Sequence, residues 1–384
     1  MIPTPAFRGR FRIRGHKGMK LKTIGTIGAT TALVAGIAAA FGSVAAVPAV
    51  QTSNPLRVGM LSLGDGIVEV TVTNSSRKTV RVPKWQLPSM LAQSNVFAVT
   101  RDGVEVRYEG AMIKRGLPEA SDFVVLRPGR AWKATVDLGA AYDLSQGGDY
   151  TITFAAPLQY ASLSGGTMLK QANGLPLVTQ SAPLRIRVDN GQQTPAQRMG
   201  FSTKAKPVQG VVVNGVNYVG CTTSRQSSAG TAVNSARTYT ENAKGYLNAG
   251  KTGSRYTTWF GAYTSSRYTT AKQHYAAIDA AMDQNAGQIT INCGCNQSYY
   301  AYVYPTQPYQ IYVCNAFWSA PNTGTDSKAG TLVHEMSHFN VVAATDDWAY
   351  GQSAAKSLAT SNPTKALDNA DNHEYFAENN PALN

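Results

Sequence analysis

Gly330-Thr331-Leu332-Val333-His334-Glu335-Met336-Ser337-His338-Phe339 is the stretch on which the reading of this chain turns. Residues four apart on a helix stand one above the other, so His334 and His338 can direct two imidazoles at one metal ion. Leu332, Val333 and Phe339 make the predicted helix, about Ser327 to Phe339, a buried one. Neutral imidazole suits Zn²⁺, whose charge lowers the pKa of a bound water and polarises a carbonyl. Glu335, beside a ligand, can reach such a water as a base. One catalytic zinc ion is the expected cofactor.

A catalytic zinc site needs a third protein ligand and an open fourth position. No histidine follows closely; the next one after His338 is His373. Two acids do follow, in Ala344-Thr345-Asp346-Asp347-Trp348-Ala349-Tyr350-Gly351, and the spacing does not choose between Asp346 and Asp347. Glu374 or Glu378, on a later predicted helix over 371–379, would be the alternative. His373 reads as structural.

Working outward, the segment from about 208 to 384 carries helical periodicity over 231–247, 263–284 and 350–359, and short strands at 289–292, 301–304 and 310–313. It is an α+β unit large enough for its own core. All four cysteines, Cys221, Cys293, Cys295 and Cys314, lie in it. Cys293-Gly-Cys295 is too tight for half of a zinc knuckle, so two disulfides are expected. Cys221–Cys293 with Cys295–Cys314 is the preferred pairing. Alternate residues on a strand face the same side, yet two bridges cannot share one partner, and this choice keeps the second bridge local.

Residues 50–189 read differently. Period-two runs such as Gly66 to Thr73, Val96 to Thr100 and Tyr150 to Phe154, with connectors such as Arg101-Asp102-Gly103, predict a small antiparallel β-sandwich. It holds no His or Cys and no catalytic constellation, which suits a folding, inhibitory or substrate-binding module. Residues 190–207, rich in short polar residues, Gly and Pro, read as an exposed linker. The first 49 residues combine a basic leader, an apolar run from Ile24 to Phe41 and small residues before Ala45 or Ala49. That is the pattern of a secretory signal peptide, and it predicts an extracellular protein with no stable membrane association afterwards.

The net charge of +13 does not indicate a nucleic-acid partner. Residues 208–384 carry 10 basic against 11 acidic side chains, so the excess lies in the leader and the β-rich part, away from the candidate chemistry.

The C-terminal unit resembles the deuterolysin-like, aspartate-liganded zinc endopeptidases (aspzincins), above all their peptidyl-Lys members. The resemblance rests on HExxH followed by Thr345-x-Asp347 and an aromatic-Ala-Tyr-Gly run. It implies a zincin-like α+β metallopeptidase domain behind the sandwich, with Asp347 as third ligand, Glu335 as base and Tyr350 as oxyanion partner. Ala344 departs from the family, which usually has Gly there. The resemblance also carries an acidic pocket for a substrate lysine onto Asp371 and Glu374, three apart on one helical face, with cleavage on the amino side of Lys. It implies that the sandwich is a pro-region. Lys204 and Lys206 in the linker are then candidate self-processing points, the mature chain starting near 204–211, and Lys114-Arg115 is a candidate occupant of the acidic pocket. The competing expectations are a broad-specificity zinc endopeptidase with the same metal site, and a non-catalytic secreted binding protein.

Overall fold

The computed structural model describes residues 53–90, 92–200 and 209–384. The signal segment, Lys204 and Lys206 lie outside the described residues.

The β-rich part runs through β1 (Leu56–Gly64), β2 (Ile67–Asn74), β3 (Val80–Pro83), β4 (Phe97–Arg101), β5 (Val104–Glu105), β6 (Met112–Lys114), β7 (Phe123–Leu126), β8 (Ala131–Asp137), β9 (Gly148–Pro157), β10 (Ser162–Leu163), β11 (Val178–Gln180) and β12 (Leu184–Val188). Asp65-Gly66 and Asp102-Gly103 take positive φ at both positions. This is the backbone of a type I′ turn, whose twist matches the strands it joins. In β2 the alternation is complete, with Val68, Val70 and Val72 fully buried and their neighbours partly exposed. The pairings are antiparallel, as expected, but the strands are shared among three sheets, β1-β2-β8, β10-β3-β7 and β11-β9-β4-β5 with β12 beside β9. β6 belongs to none of them.

The α/β part adds α1 (Pro195–Arg198) ahead of it, then β13 (Val211–Val213), β14 (Val216–Val219), α2 (Thr223–Asn248), α3 (Ser254–Phe260), α4 (Ser265–Met282), β15 (Thr290–Asn292), β16 (Ala301–Val303), β17 (Gln310–Val313), α5 (Asn315–Ser319), α6 (Lys328–His338), α7 (Gln352–Ser361), α8 (Pro363–Leu367) and α9 (Ala370–Glu378). Its sheet has the order β13-β14-β15-β17-β16-β6, so the edge strand is supplied by the β-rich part. β6 runs antiparallel to β16, with Lys114 opposite Ala301 and Met112 opposite Val303.

The two parts pack as one compact body with a continuous apolar core. Within the expected linker, the described residues 190–200 are mostly exposed or half-buried. α1 is a capped turn, and Arg198 fastens it to Asp137 at 2.5 Å, so at least this piece is docked. Cys221 is joined to Cys293 and Cys295 to Cys314. Among the described residues no helix is long and apolar enough to cross a membrane.

Candidate active site

α6 is buried along its whole length, and Ser327 caps its N-terminus by accepting from the Gly330 N–H at 2.9 Å. Glu378, from α9, accepts from the Ser327 N–H at 2.9 Å and from the Ser327 hydroxyl at 2.8 Å. A carboxylate there satisfies orphan donors and meets the positive end of the helix dipole. Glu378 is thereby spent on positioning α6. A Cβ at 330 would come within 2.1 Å of the Glu378 carboxylate, so a larger residue there would have to displace that contact.

After His338 the chain leaves the helix and turns back. The Ala344 N–H donates to the Phe339 carbonyl at 3.1 Å, and Ala344 itself takes a left-handed φ of 52°. Asp346 then pairs with the segment leading into α9, bridged to Asn369, its N–H donating to the Asp368 carbonyl at 2.7 Å. Side chains alternate along an extended pair. Asp346 therefore points toward Asn95, whose amide donates to it at 3.0 Å, while Asp347 turns to the imidazoles. Burial pushes the Asp346 carboxyl up to about 7.

His334 Nε2 and His338 Nε2 stand 3.3 and 3.5 Å from Asp347 Oδ1. Ligands held near 2.05 Å by a tetrahedral zinc are about 3.4 Å apart, so the triangle has the size that zinc requires. All three side chains are buried, and both Nε2 atoms and Asp347 Oδ2 lack any hydrogen-bond partner. Groups this buried need a partner, and a cation among them is one. The other imidazole nitrogens face oxygen acceptors, although His334 Nδ1 makes no well-aligned hydrogen bond. His338 Nδ1 donates to the Thr345 carbonyl at 2.7 Å, and His334 Nδ1 faces Asp371 Oδ1 at 2.9 Å and Glu374 Oε2 at 3.3 Å. Such contacts fix the tautomer that leaves Nε2 free for a metal. Burial holds His338 down to about 4, which keeps it neutral. For His334 the same burial is outweighed by Asp347, Asp371 and Glu374, which raise it.

Glu335 is fully buried with both carboxylate oxygens unpartnered, one residue from His334. Burial pushes its carboxyl up to about 8. A divalent cation on the neighbouring imidazoles opposes that shift. Tyr350 lies on the other side of Asp347, and its hydroxyl donates to the Ile113 carbonyl at 3.3 Å. Its main chain is clamped by Gln159, which accepts from the Tyr350 N–H at 3.0 Å and donates to its carbonyl at 2.5 Å.

Asp371 and Glu374 do share one face of α9, and they enclose an ammonium. Lys114 Nζ lies 2.5 Å from Glu374 Oε2 and 3.6 Å from Asp371 Oδ1, with its side chain 2% exposed. Burial opposes the lysine's charge, but Asp371, Glu374 and Asp326 more than compensate and raise its pKa. Lys114 and His334 likewise outweigh burial at Asp371 and hold that carboxyl well below its usual range. Arg115 does not enter the pocket. Its guanidinium stacks between the rings of Trp85 and Tyr299, at 4.9 and 4.7 Å. Because Lys114 supplies the cation between Asp371 and Glu374, a metal belongs on the Nε2 side of His334, not the Nδ1 side. His373 is buried away from this centre, with Nε2 3.0 Å from His274 Nδ1.

Two participants were not foreseen. Asp326 Oδ1 lies 3.6 Å from Lys114 Nζ, and the Lys114 ammonium sits 5.4 Å from the Tyr300 ring centre. Tyr300 is one of many tyrosines in this part of the chain and Asp326 lies just before α6, so nothing local in the sequence marks either as a neighbour of an ammonium.

The chain is similar to known proteins. A family model described as aspzincin, lysine-specific metallo-endopeptidase, matches residues 246–378. An extracellular protease of Aeromonas hydrophila is 42% identical over 84% of this chain and 90% of its own. A peptidyl-Lys metalloendopeptidase of Grifola frondosa is 36% identical over 86% of this chain and 95% of its own. One from Pleurotus ostreatus is 49% identical over 168 residues, 43% of this chain and 98% of its own. The chain belongs to the aspzincin family and is a zinc metalloendopeptidase.

Proposed function

We propose that the protein is a secreted endopeptidase that cuts proteins on the amino side of lysine, made as a precursor whose β-rich part covers its own active site. The observation that carries this reading is the seat of Lys114. Its ammonium lies between Glu374 and Asp371 while the carbonyl just before it, that of Ile113, accepts from Tyr350. Cleavage on the amino side of a lysine attacks the carbonyl of the preceding residue, so both contacts belong to one mode of binding. Pairing of β6 with β16 supplies the rest, since an extended segment added to a sheet edge is held by its main chain.

His334, His338 and Asp347 would hold the zinc, which when bound supplies Lewis acidity to the scissile carbonyl and lowers the pKa of a water. Glu335 takes the proton of the attacking water and delivers it to the departing lysine amine. Tyr350 donates to the carbonyl oxygen as charge builds on it. Glu374 and Asp371 fix the side chain that follows the scissile bond.

The precursor reading is also supported by length. The Pleurotus enzyme matches almost entirely within a span that the α/β part alone could supply. Processing near Lys204 and Lys206 would remove the covering strand.

The test is a peptide library incubated with the full chain, secreted and allowed to process, with and without a zinc chelator. Cuts before lysine that vanish with chelator and return with zinc are expected. Chelator-sensitive cuts spread over many residue types would overturn lysine selectivity and leave a broad-specificity endopeptidase. A fully active species retaining residues 53–200 would overturn the precursor.

A further inference from the structure

We infer that Asp326 is the third carboxylate of the lysine pocket and a determinant of its selectivity for a charged side chain, a role that rests on the lysine reading above. The ammonium of Lys114 has three anionic neighbours, Glu374 at 2.5 Å and Asp371 and Asp326 at 3.6 Å each. An ammonium is a compact charge with three donors, and three acceptors around it match that valence.

The two deep carboxylates do not serve lysine alone. Asp371 Oδ1 is 2.9 Å from His334 Nδ1, and its Oδ2 accepts from the Gly351 N–H at 2.6 Å. The Glu374 oxygen that meets Lys114 is also 3.3 Å from His334 Nδ1. Asp326 touches no imidazole. Its Oδ1 accepts from the neutral Tyr375 hydroxyl at 2.7 Å, which fixes the carboxylate without sharing its charge.

Asp326 also occupies a held position. Its φ is 50°, a left-handed conformation that few non-glycine residues adopt, and its N–H donates to Glu378 Oε2 at 3.3 Å. Its side chain is 42% exposed, against 2% for Lys114, so Asp326 is the solvated member of the three carboxylates. The Tyr300 and Tyr375 rings, 5.4 and 5.9 Å from Nζ, complete the wall with faces that favour a cation.

The experiment compares two peptides identical except for lysine or norleucine after the scissile bond, using the processed full-chain product loaded with zinc. In Asp326→Asn the ratio of kcat/KM for lysine over norleucine should fall about tenfold, carried mainly by KM, because one charge contact is removed while the lysine stem still packs. Asp326→Glu should restore part of the ratio. A general disturbance of α6 would lower both peptides together. If Asp326→Asn does not fold, Tyr375→Phe reads the same ratio by freeing the carboxylate. A wild-type enzyme that discriminates strongly while the variants keep its ratio overturns the role of Asp326. A wild-type enzyme that does not discriminate overturns the lysine reading itself.

Discussion

Lys114→Met in the precursor removes the covering strand's charge while keeping most of its length and apolar stem. In the native arrangement three carboxylates converge on one ammonium that is 2% exposed, and two of them, Glu374 and Asp371, are as buried as the lysine. Removing one partner of a buried ion pair costs roughly 3–5 kcal/mol, because the other partner is left desolvated and uncompensated. The lower end applies here, since Asp371 keeps Gly351 and His334, and Glu374 can take up a proton. The main-chain pairing of β6 with β16 and the Tyr300 N–H to Lys114 carbonyl bond, 3.0 Å, survive the substitution. About 3 kcal/mol therefore comes off the closed state, or roughly a hundredfold in the ratio of covered to open cleft. The assay uses a zinc-loaded precursor carrying Lys204→Gln and Lys206→Gln, and reads residual turnover of a short lysine peptide. Residual turnover should rise about a hundredfold with Lys114→Met, and much less with Lys114→Arg, which keeps the charge. Amide exchange at residues 301–303, followed in a Glu335→Gln background, should quicken by a similar factor. Unchanged turnover together with unchanged exchange would refute the claim that the Lys114 ion cluster holds the cleft shut.

Glu335→Gln should lower kcat by about a thousandfold, the usual scale for a lost general base, while zinc content by elemental analysis stays at one per chain. Tyr350→Phe should lower kcat roughly tenfold to a hundredfold with little change in KM, as expected of a donor that matters most when the carbonyl oxygen is charged. Ala344→Gly should stabilise the protein by roughly 0.5–1 kcal/mol, since relief of the left-handed strain outweighs glycine's extra unfolded entropy, and a thermal melt raised by a few degrees would register it. His274 and His373, held by burial to about 4 and about 3, bind protons only once unfolded, so stability is lost as pH falls below the unfolded value near 6.5. The loss is about 2 kcal/mol per histidine by about pH 5, and His274→Gln should roughly halve that acid limb in pH-dependent melts.

Much of this was written locally in the sequence. Asp65-Gly66 and Asp102-Gly103 admit few backbones other than the hairpin turns they form, and the His334–His338 spacing admits only one face of a helix. The β-rich region was legible strand by strand because alternation along each strand is set by which side is buried. Its division into three sheets was not, because that depends on pairings between strands far apart in the chain. The same limit hid β6. Nothing in Met112-Ile113-Lys114 says that it leaves its neighbours to edge a sheet about 190 residues further on, although a lysine in an otherwise apolar triplet was a hint. Asp346 and Asp347 could not be separated by spacing alone, since the choice is made by the turn at Ala344 and the bridge to Asn369. Asp326 was invisible as a pocket residue because its partner Tyr375 lies 49 positions away.

In the proposed function, metal binding and lysine recognition meet at two carboxylates, Asp371 and Glu374. Asp371 orients His334 from behind and also borders the ammonium in the pocket, so it cannot be altered for one purpose without touching the other. Asp371→Ala would free Nδ1 of a buried imidazole and weaken zinc affinity along with lysine selectivity, and a fall in activity would not say which had failed. Glu374 shares this ambiguity through its own approach to His334 Nδ1. Asp326, which reaches the ammonium without reaching the histidine, separates the two. Seating a lysine would place a cation beside Asp371 and Glu374 and draw their negative charge away from His334. Occupied and empty pockets should then differ in zinc affinity. Zinc dissociation from the precursor, compared between wild type and Lys114→Met, measures that coupling directly, and equal dissociation rates would show the two sites to be independent despite their shared carboxylates.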